Sequence, residues 1–136
     1  MKPPFILDSF ALLNFLHKEP GWEKVKSLLA DLAHKNEKAF LSRINWGEFY
    51  YILHRRVGRD KTLEALSLLD QLPIAFMAVD DSLVRKAAEI KAEYPIAYAD
   101  AFCTALAQRM NGRILTGDPK FKAVEQLVAV EWLGNQ

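Results

Sequence analysis

Residues 5–16 read FILDSFALLNFL. Phe5, Ile6 and Leu7 form an apolar run too short for a helix, and an acid closes it. From Ser9 to His17 the apolar positions follow helical spacing, and Asp8 stands where a helix N-cap belongs. A short buried strand therefore feeds directly into a helix. Pro20 and Gly21 then break that helix.

The same unit recurs along the chain. Trp22 to Lys35 is amphipathic, with Trp22, Val25, Leu28, Leu29, Leu32 and Ala33 at helical spacing. Ala39 to Leu41 is a second short strand, and Ser42 is placed to cap a helix reaching about Val57, where Gly58 ends it. Asp60 to Leu69 reads as another amphipathic helix. A third strand, Ile74 to Val79, is entered through Pro73. Asp80 or Asp81 caps the next helix, which carries Leu83, Val84, Ala87, Ala88 and Ile90. Pro95 separates it from a helix over Ala97 to Met110. Arg113 to Thr116 is a fourth strand and Leu127 to Trp132 a fifth. Short, nearly continuous apolar strands alternating with helices predict an α/β fold, its central and mostly parallel sheet of four to five strands covered on both faces. Ligands of such sheets sit beyond the carboxyl ends of the strands, so the polar residues there carry the functional reading.

Composition bounds the rest. With 136 residues, 51% hydrophobic and 26% charged, the chain reads as one globular domain over residues 1–136, neither disordered nor low-complexity. Eighteen Lys and Arg against seventeen Asp and Glu leave a net charge of +1, which excludes a polycationic nucleic-acid wrapper but allows a local basic patch. The single Cys103 excludes an intrachain disulfide and a multi-Cys zinc site, and it suits a reducing compartment. No apolar run reaches the roughly 18 residues of a membrane span. The opening MKPPFILDSF, with its prolines and early Asp8, is a poor secretory signal, so the expected location is the cytoplasm.

Four acids stand where folding does not need them. Asp8 follows the first strand, and taken alone it is an ordinary helix cap. Asp118, in Thr116-Gly117-Asp118-Pro119, follows the fourth strand and alone reads as a turn or a cap with proline at the first helical position. Glu48 shares helical spacing with Ile44, Tyr51 and Ile52, which sets it inside an apolar stripe. An unpartnered carboxylate there costs several kcal/mol, and Arg43 or Arg55 is available for a structural ion pair. Asp100 lies among Ile96, Ala97, Cys103, Thr104 and Ala107, where an acid in the first turn also suits the helix dipole. The joint pattern says more than any member. Two acids at strand ends and two on inward helix faces gather toward one edge of the sheet, and clustered carboxylates repel unless a counter-charge joins them. Oxygen-only donors with no Cys or His ligand suit Mg²⁺ or Mn²⁺ better than zinc. Such ions clamp phosphates and activate water. Thr116 is positioned to orient a carboxylate, a water or a phosphate.

With these residues in view, the sequence closely resembles the PIN domain family, and within it the VapC-type ribonuclease toxins of bacterial and archaeal toxin–antitoxin pairs. The matching pieces are ILDSFALLNFL with Asp8, INWGEFYYIL with Glu48, YADAFCTALA with Asp100 and ILTGDPKF with Asp118, in the family's order and over essentially the whole chain. The resemblance implies a three-layer α/β/α domain that cuts RNA with Mg²⁺ or Mn²⁺. It maps the metal-site acids onto Asp8, Glu48, Asp100 and Asp118, the hydroxyl near the last acid onto Thr116, and a common small polar position onto Ser9. It also implies a cognate antitoxin and a homodimer as partners. The chain's end soon after the fifth strand suits a stand-alone toxin.

Other features read less sharply. Arg55, Arg56, Arg59 and Lys61, with His54 beside them, form a basic cluster that is either solvated surface or a phosphate track along RNA. Lys120 and Lys122 are better placed for phosphate if the acids form the site. Cys103 reads as packing, and His17, His34 and His54 have no metal-ligand spacing. Trp22, Trp46 and Tyr50 suit core, dimer contact or partner groove alike. Two further functions compete: a receiver-like phosphoacceptor domain, which also uses strand-end acids, Mg²⁺, a Thr and a Lys, and a non-catalytic PIN-like RNA-binding module. The first wants a pair of acids after the first strand, whereas Asp8 is followed by Ser9 and Phe10. The second has no use for all four acids.

Overall fold

The computed structural model describes residues 2–134. Five strands form: β1 (Phe5–Leu7), β2 (Ala39–Ser42), β3 (Ile74–Met77), β4 (Arg113–Thr116) and β5 (Ala129–Trp132). The helices are α1 (Ser9–Leu16), α2 (Trp22–His34), α3 (Arg43–Val57), α4 (Arg59–Gln71), α5 (Asp81–Glu93) and α6 (Tyr98–Met110). A 3-10 turn over Pro119–Val124 follows β4. Every strand pair is parallel, in the order β3-β2-β1-β4-β5.

Alternation along the short strands builds the layers. Ile6 and Ile114 point to one face, where α5, α6 and the 3-10 turn supply Leu83, Phe102, Leu106 and Phe121. Leu7, Leu41 and Leu115 point to the other, beneath Leu12, Val25, Phe49 and Leu69 of α1 to α4. Both faces of the central strands are dry, as a parallel sheet requires. Side-chain caps set several helix starts. Asp8 accepts from Ala11 N–H, Ser42 from Asn45 N–H and Asp80 from Leu83 N–H. Asp80 rather than Asp81 is the cap of α5, and a two-point pairing with Arg109 holds its carboxyl below the usual range.

Most boundaries shift by only one or two residues from the sequence reading, and three of the shifts have a clear cause. Gly58, at φ 87°, allows α4 to open at Arg59, one residue early. β3 stops at Met77, because Ala78 and Val79 lead into the cap of α5 and are unpaired. Leu127 and Val128 turn back onto Val124 through their N–H groups, which delays β5 to Ala129.

The order of the sheet locates its crevice. The chain moves outward from β1 through β2 to β3, and then returns to place β4 on the other side of β1. The switch point therefore lies above the carboxyl ends of β1 and β4, where Asp8 and Thr116 emerge. A receiver-like domain has the order 2-1-3-4-5 instead, so the strand order sets that reading aside.

Candidate functional site

Asp8 is the deepest of the four acids, with 1% of its surface exposed. Its Oδ1 accepts from Ala11 N–H at 2.8 Å and its Oδ2 from Thr116 Oγ1–H at 2.6 Å. Cap and site ligand were offered as alternatives for this residue, and the geometry gives it the cap while leaving it in the cleft. Burial pushes its carboxyl up to about 7, against the two hydrogen bonds and with smaller contributions from Asp100 and Asp118. Thr116 lies one residue beyond the Leu7–Leu115 register pair and is fully buried. Its Oγ1 accepts in turn from Asp118 N–H at 3.0 Å. Asp118 then caps the 3-10 turn by accepting from Lys120 N–H at 3.0 Å, with Pro119 at the first position. One hydroxyl thus fixes two acids.

Glu48 and Asp100 enter from helices. The N-terminal turns of α3 and α6 meet over the sheet edge, where Asn45 Nδ2–H donates to Ala99 C=O at 3.1 Å. Glu48 Oε1 accepts a hydrogen bond from Ser9 Oγ–H, which ties α3 to the start of α1. Asp100 is 7% exposed, and among the described residues no donor reaches its carboxylate. Burial, then Glu48, then Asp118 push its carboxyl up to about 7, with Lys120 opposing. Through Asp8 and Asp100 the four acids therefore feel one another electrostatically.

One expectation about Glu48 is corrected in part, and one alternative is set aside. Of the stripe it shares with Ile44, Tyr51 and Ile52, only Ile52 packs against the core, whereas Ile44 and Tyr51 are 36% and 49% exposed. The buried face of α3 is Asn45, Phe49 and Leu53 instead, and Glu48 is half-buried beside it. Neither Arg43 nor Arg55 pairs with it. Arg43 lies over the Trp46 and Phe76 rings, and Arg55 over Tyr51. Both aromatic seats were invisible to a charge-based reading.

Cys103 is buried with Sγ 3.8 Å from Leu7 C=O, and burial together with the nearby acids pushes its thiol well above the ordinary range. It packs and is no nucleophile. Arg55, Arg56, Arg59 and Lys61 are all exposed at the far end of α3 and the start of α4. Lys120 and Lys122 are exposed beside Asp118.

The donor chemistry of the cleft, four carboxylates and two hydroxyls without sulfur or imidazole, fits a hard divalent cation. Among the described residues no group of three or more His, Cys, Asp or Glu side chains is drawn close enough to hold an ion as it stands. Protein donors engage both oxygens of Asp8 and one oxygen each of Glu48 and Asp118.

The PIN domain family model matches residues 5–127, and the chain belongs to that family. VapBC2 from Rickettsia felis, bound to a DNA fragment from its promoter, superimposes with a TM-score of 0.75 at 18% identity, covering 96% of this chain and 98% of that one. DNA-bound VapBC from Salmonella typhimurium gives 0.75 at 15% identity, covering 98% and 100%. VapC20 from Mycobacterium tuberculosis, described as a toxin that cleaves the sarcin–ricin loop, gives 0.71 at 19%, covering 88% and 94%. At such identities the likeness speaks for the fold. A comparison with curated proteins finds no match. No helix among the described residues is long and apolar enough to cross a membrane.

Proposed function

We propose that this chain is a Mg²⁺- or Mn²⁺-dependent endoribonuclease and the toxin of a toxin–antitoxin pair. The observation that carries the reading is the carboxylate cluster at the switch point, with the Asp8 and Asp100 carboxyls both raised to about 7 and no Lys or Arg among the described residues ion-paired to any of the four acids. Carboxylates that are buried first and repel one another second are a structural burden when ionised unless a cation neutralises them. Family membership supports the same reading, as does the likeness to toxin–antitoxin structures.

Asp8, Glu48, Asp100 and Asp118 are the residues that would hold the cation. When bound it would neutralise the phosphate charge and activate water for in-line displacement of a phosphodiester. Thr116 keeps Asp8 and Asp118 in one orientation, and Ser9 does the same for Glu48. The exposed Lys120, close enough to oppose the rise at Asp100, is placed to take a substrate phosphate. The exposed Ile44, Tyr51, Leu63 and Leu68 of α3 and α4 support protein partners, in the form of an antitoxin and a second copy of the chain.

RNA cleavage by purified protein should appear with added Mg²⁺ or Mn²⁺ and stop in excess EDTA. Full cleavage by verified metal-free protein would end the metal mechanism. RNA binding without any cleavage would favour the non-catalytic alternative.

A further inference from the structure

Phe10 is an aromatic residue that the fold does not use. It is 38% exposed, although it follows Ser9 at the start of α1 and sits beside the most buried residues of the chain. Its position is nevertheless fixed. A Cβ on Gly117 would fall 2.6 Å from Phe10 Cε1 and 3.2 Å from Cζ, so the ring lies against the loop between Thr116 and Asp118. Gly117 has no left-handed backbone angle to explain its identity; the positive-φ glycines are Gly21, Gly58 and Gly134. What a side chain at 117 would meet is the edge of the Phe10 ring, with Leu133 Cβ next at 3.5 Å, so a larger residue there would push the ring off its seat. Two positions 107 residues apart are thus matched to hold a ring that is not buried.

The seat of that ring is the lip of the carboxylate cleft. Ser9 on one side of Phe10 holds Glu48, Ala11 on the other holds Asp8, and Gly117 beneath it separates Thr116 from Asp118. We infer that Phe10 is a stacking platform for a nucleobase next to the scissile phosphate, which makes it a specificity-determining residue for RNA with an unpaired nucleotide at the cut. The inference rests on the ribonuclease reading. Its physical basis is that a part-exposed aromatic face at the carboxylate cleft can stack on any base that is free of its own helix. A paired base offers no such face, so loops and single strands are favoured over duplex.

The test uses a short RNA in which the wild-type cut has been mapped, so that the register is known. Binding is measured with the Asp100→Asn protein, expected to hold RNA without cutting it, on the intact RNA and on versions abasic at each nucleotide flanking the cut. Phe10→Ala and Phe10→Leu in that background should each weaken binding of intact RNA by roughly 5- to 150-fold, the range for one base on one ring. Phe10→Leu keeps apolar contact with Gly117 and guards against misfolding, and Phe10→Trp should retain affinity. With one of the abasic RNAs the loss on substitution should vanish. Equal losses on intact and on every abasic RNA, or no loss at all, would overturn the stacking role while leaving the nuclease intact. Wild-type protein that cuts no RNA would overturn the ribonuclease reading and this inference with it.

Discussion

Thr116 Oγ1 donates a 2.6 Å hydrogen bond to Asp8 Oδ2 across 108 residues of sequence, with both side chains buried at the junction of β1 and β4. The same oxygen accepts from Asp118 N–H, so removing it leaves a carboxylate and an amide short of partners. Thr116→Val keeps the volume and should lower stability by about 1–3 kcal/mol, the penalty for stranding buried polar groups. Because that hydrogen bond holds the Asp8 carboxyl down, its loss should also raise Asp8 further. Thr116→Ser should restore most of both. Urea unfolding of the three proteins at one pH checks the first effect. Equal stability of Thr116→Val and wild type would mean that the hydroxyl is incidental.

The metal-free protein should lose stability as pH rises. Asp8 and Asp100 titrate near 7 in the folded chain and near 3.8 when unfolded, so between those values the native state binds more protons. Stability then falls with rising pH, by up to roughly 1.4 kcal/mol per unit for each group in that window. Above about 7 the loss is complete. Unfolding free energies in EDTA should descend from pH 5 to 7 and level off toward pH 8, and Asp100→Asn should flatten part of the slope. A rising or level profile would contradict the elevated carboxyls.

Substitution of the acids should separate their two duties. Asp100 has no hydrogen-bond donor among the described residues, so Asp100→Asn removes repulsion and takes away no bond. The apo protein should be at least as stable as wild type, and cleavage should vanish. Asp8→Asn removes repulsion as well, but its new amide faces Thr116, whose hydroxyl already accepts from Asp118 N–H. Its gain should be smaller or absent. Added Mg²⁺ should raise the melting temperature of wild type more than that of either variant, since a ligand bound only to the folded state stabilises it. A large drop in apo melting temperature for Asp100→Asn would make that residue a structural partner.

The alternation of β1 and β4 was legible because Ile6 and Leu7, like Ile114 and Leu115, are apolar whichever face they take, and only a doubly covered sheet tolerates that. Asp8 and Asp118 were legible as residues at strand ends. The two-residue spacing to Asp118 marked Thr116 as able to orient a carboxylate, a water or a phosphate, but its bond to Asp8 needed β1 and β4 to be neighbours. The partner of Glu48 was not legible: Ser9 lies 39 residues away, and a serine after an acid looks like a second cap. The face of α3 was misjudged for a physical reason. Ile44 and Tyr51 are apolar by identity yet exposed, whereas the polar Asn45 is fully buried because its amide bonds to Ser42 and Ala99. Periodicity cannot see a buried asparagine that has all its partners. Gly117 likewise reads as a turn residue until the Phe10 ring is seen against it.

Coupling within the carboxylate cluster should be measurable residue by residue. Glu48 is the second-largest cause of the rise at Asp100, after burial and ahead of Asp118. Glu48→Gln keeps an oxygen to accept from Ser9 and takes away the charge. The Asp100 carboxyl should therefore titrate lower in Glu48→Gln than in wild type, by carbon-detected NMR of the side-chain carboxyls in EDTA. Ser9→Ala leaves the charge in place but frees the Glu48 side chain to move toward water, so it should shift Asp100 in the same direction and by less. Asp80→Asn serves as the control, because that carboxylate pairs with Arg109 and does not contribute to the Asp100 rise. Asp100 titration that ignores Glu48→Gln would mean that the two acids do not share a field, and a common cation between α3 and α6 would lose its electrostatic basis.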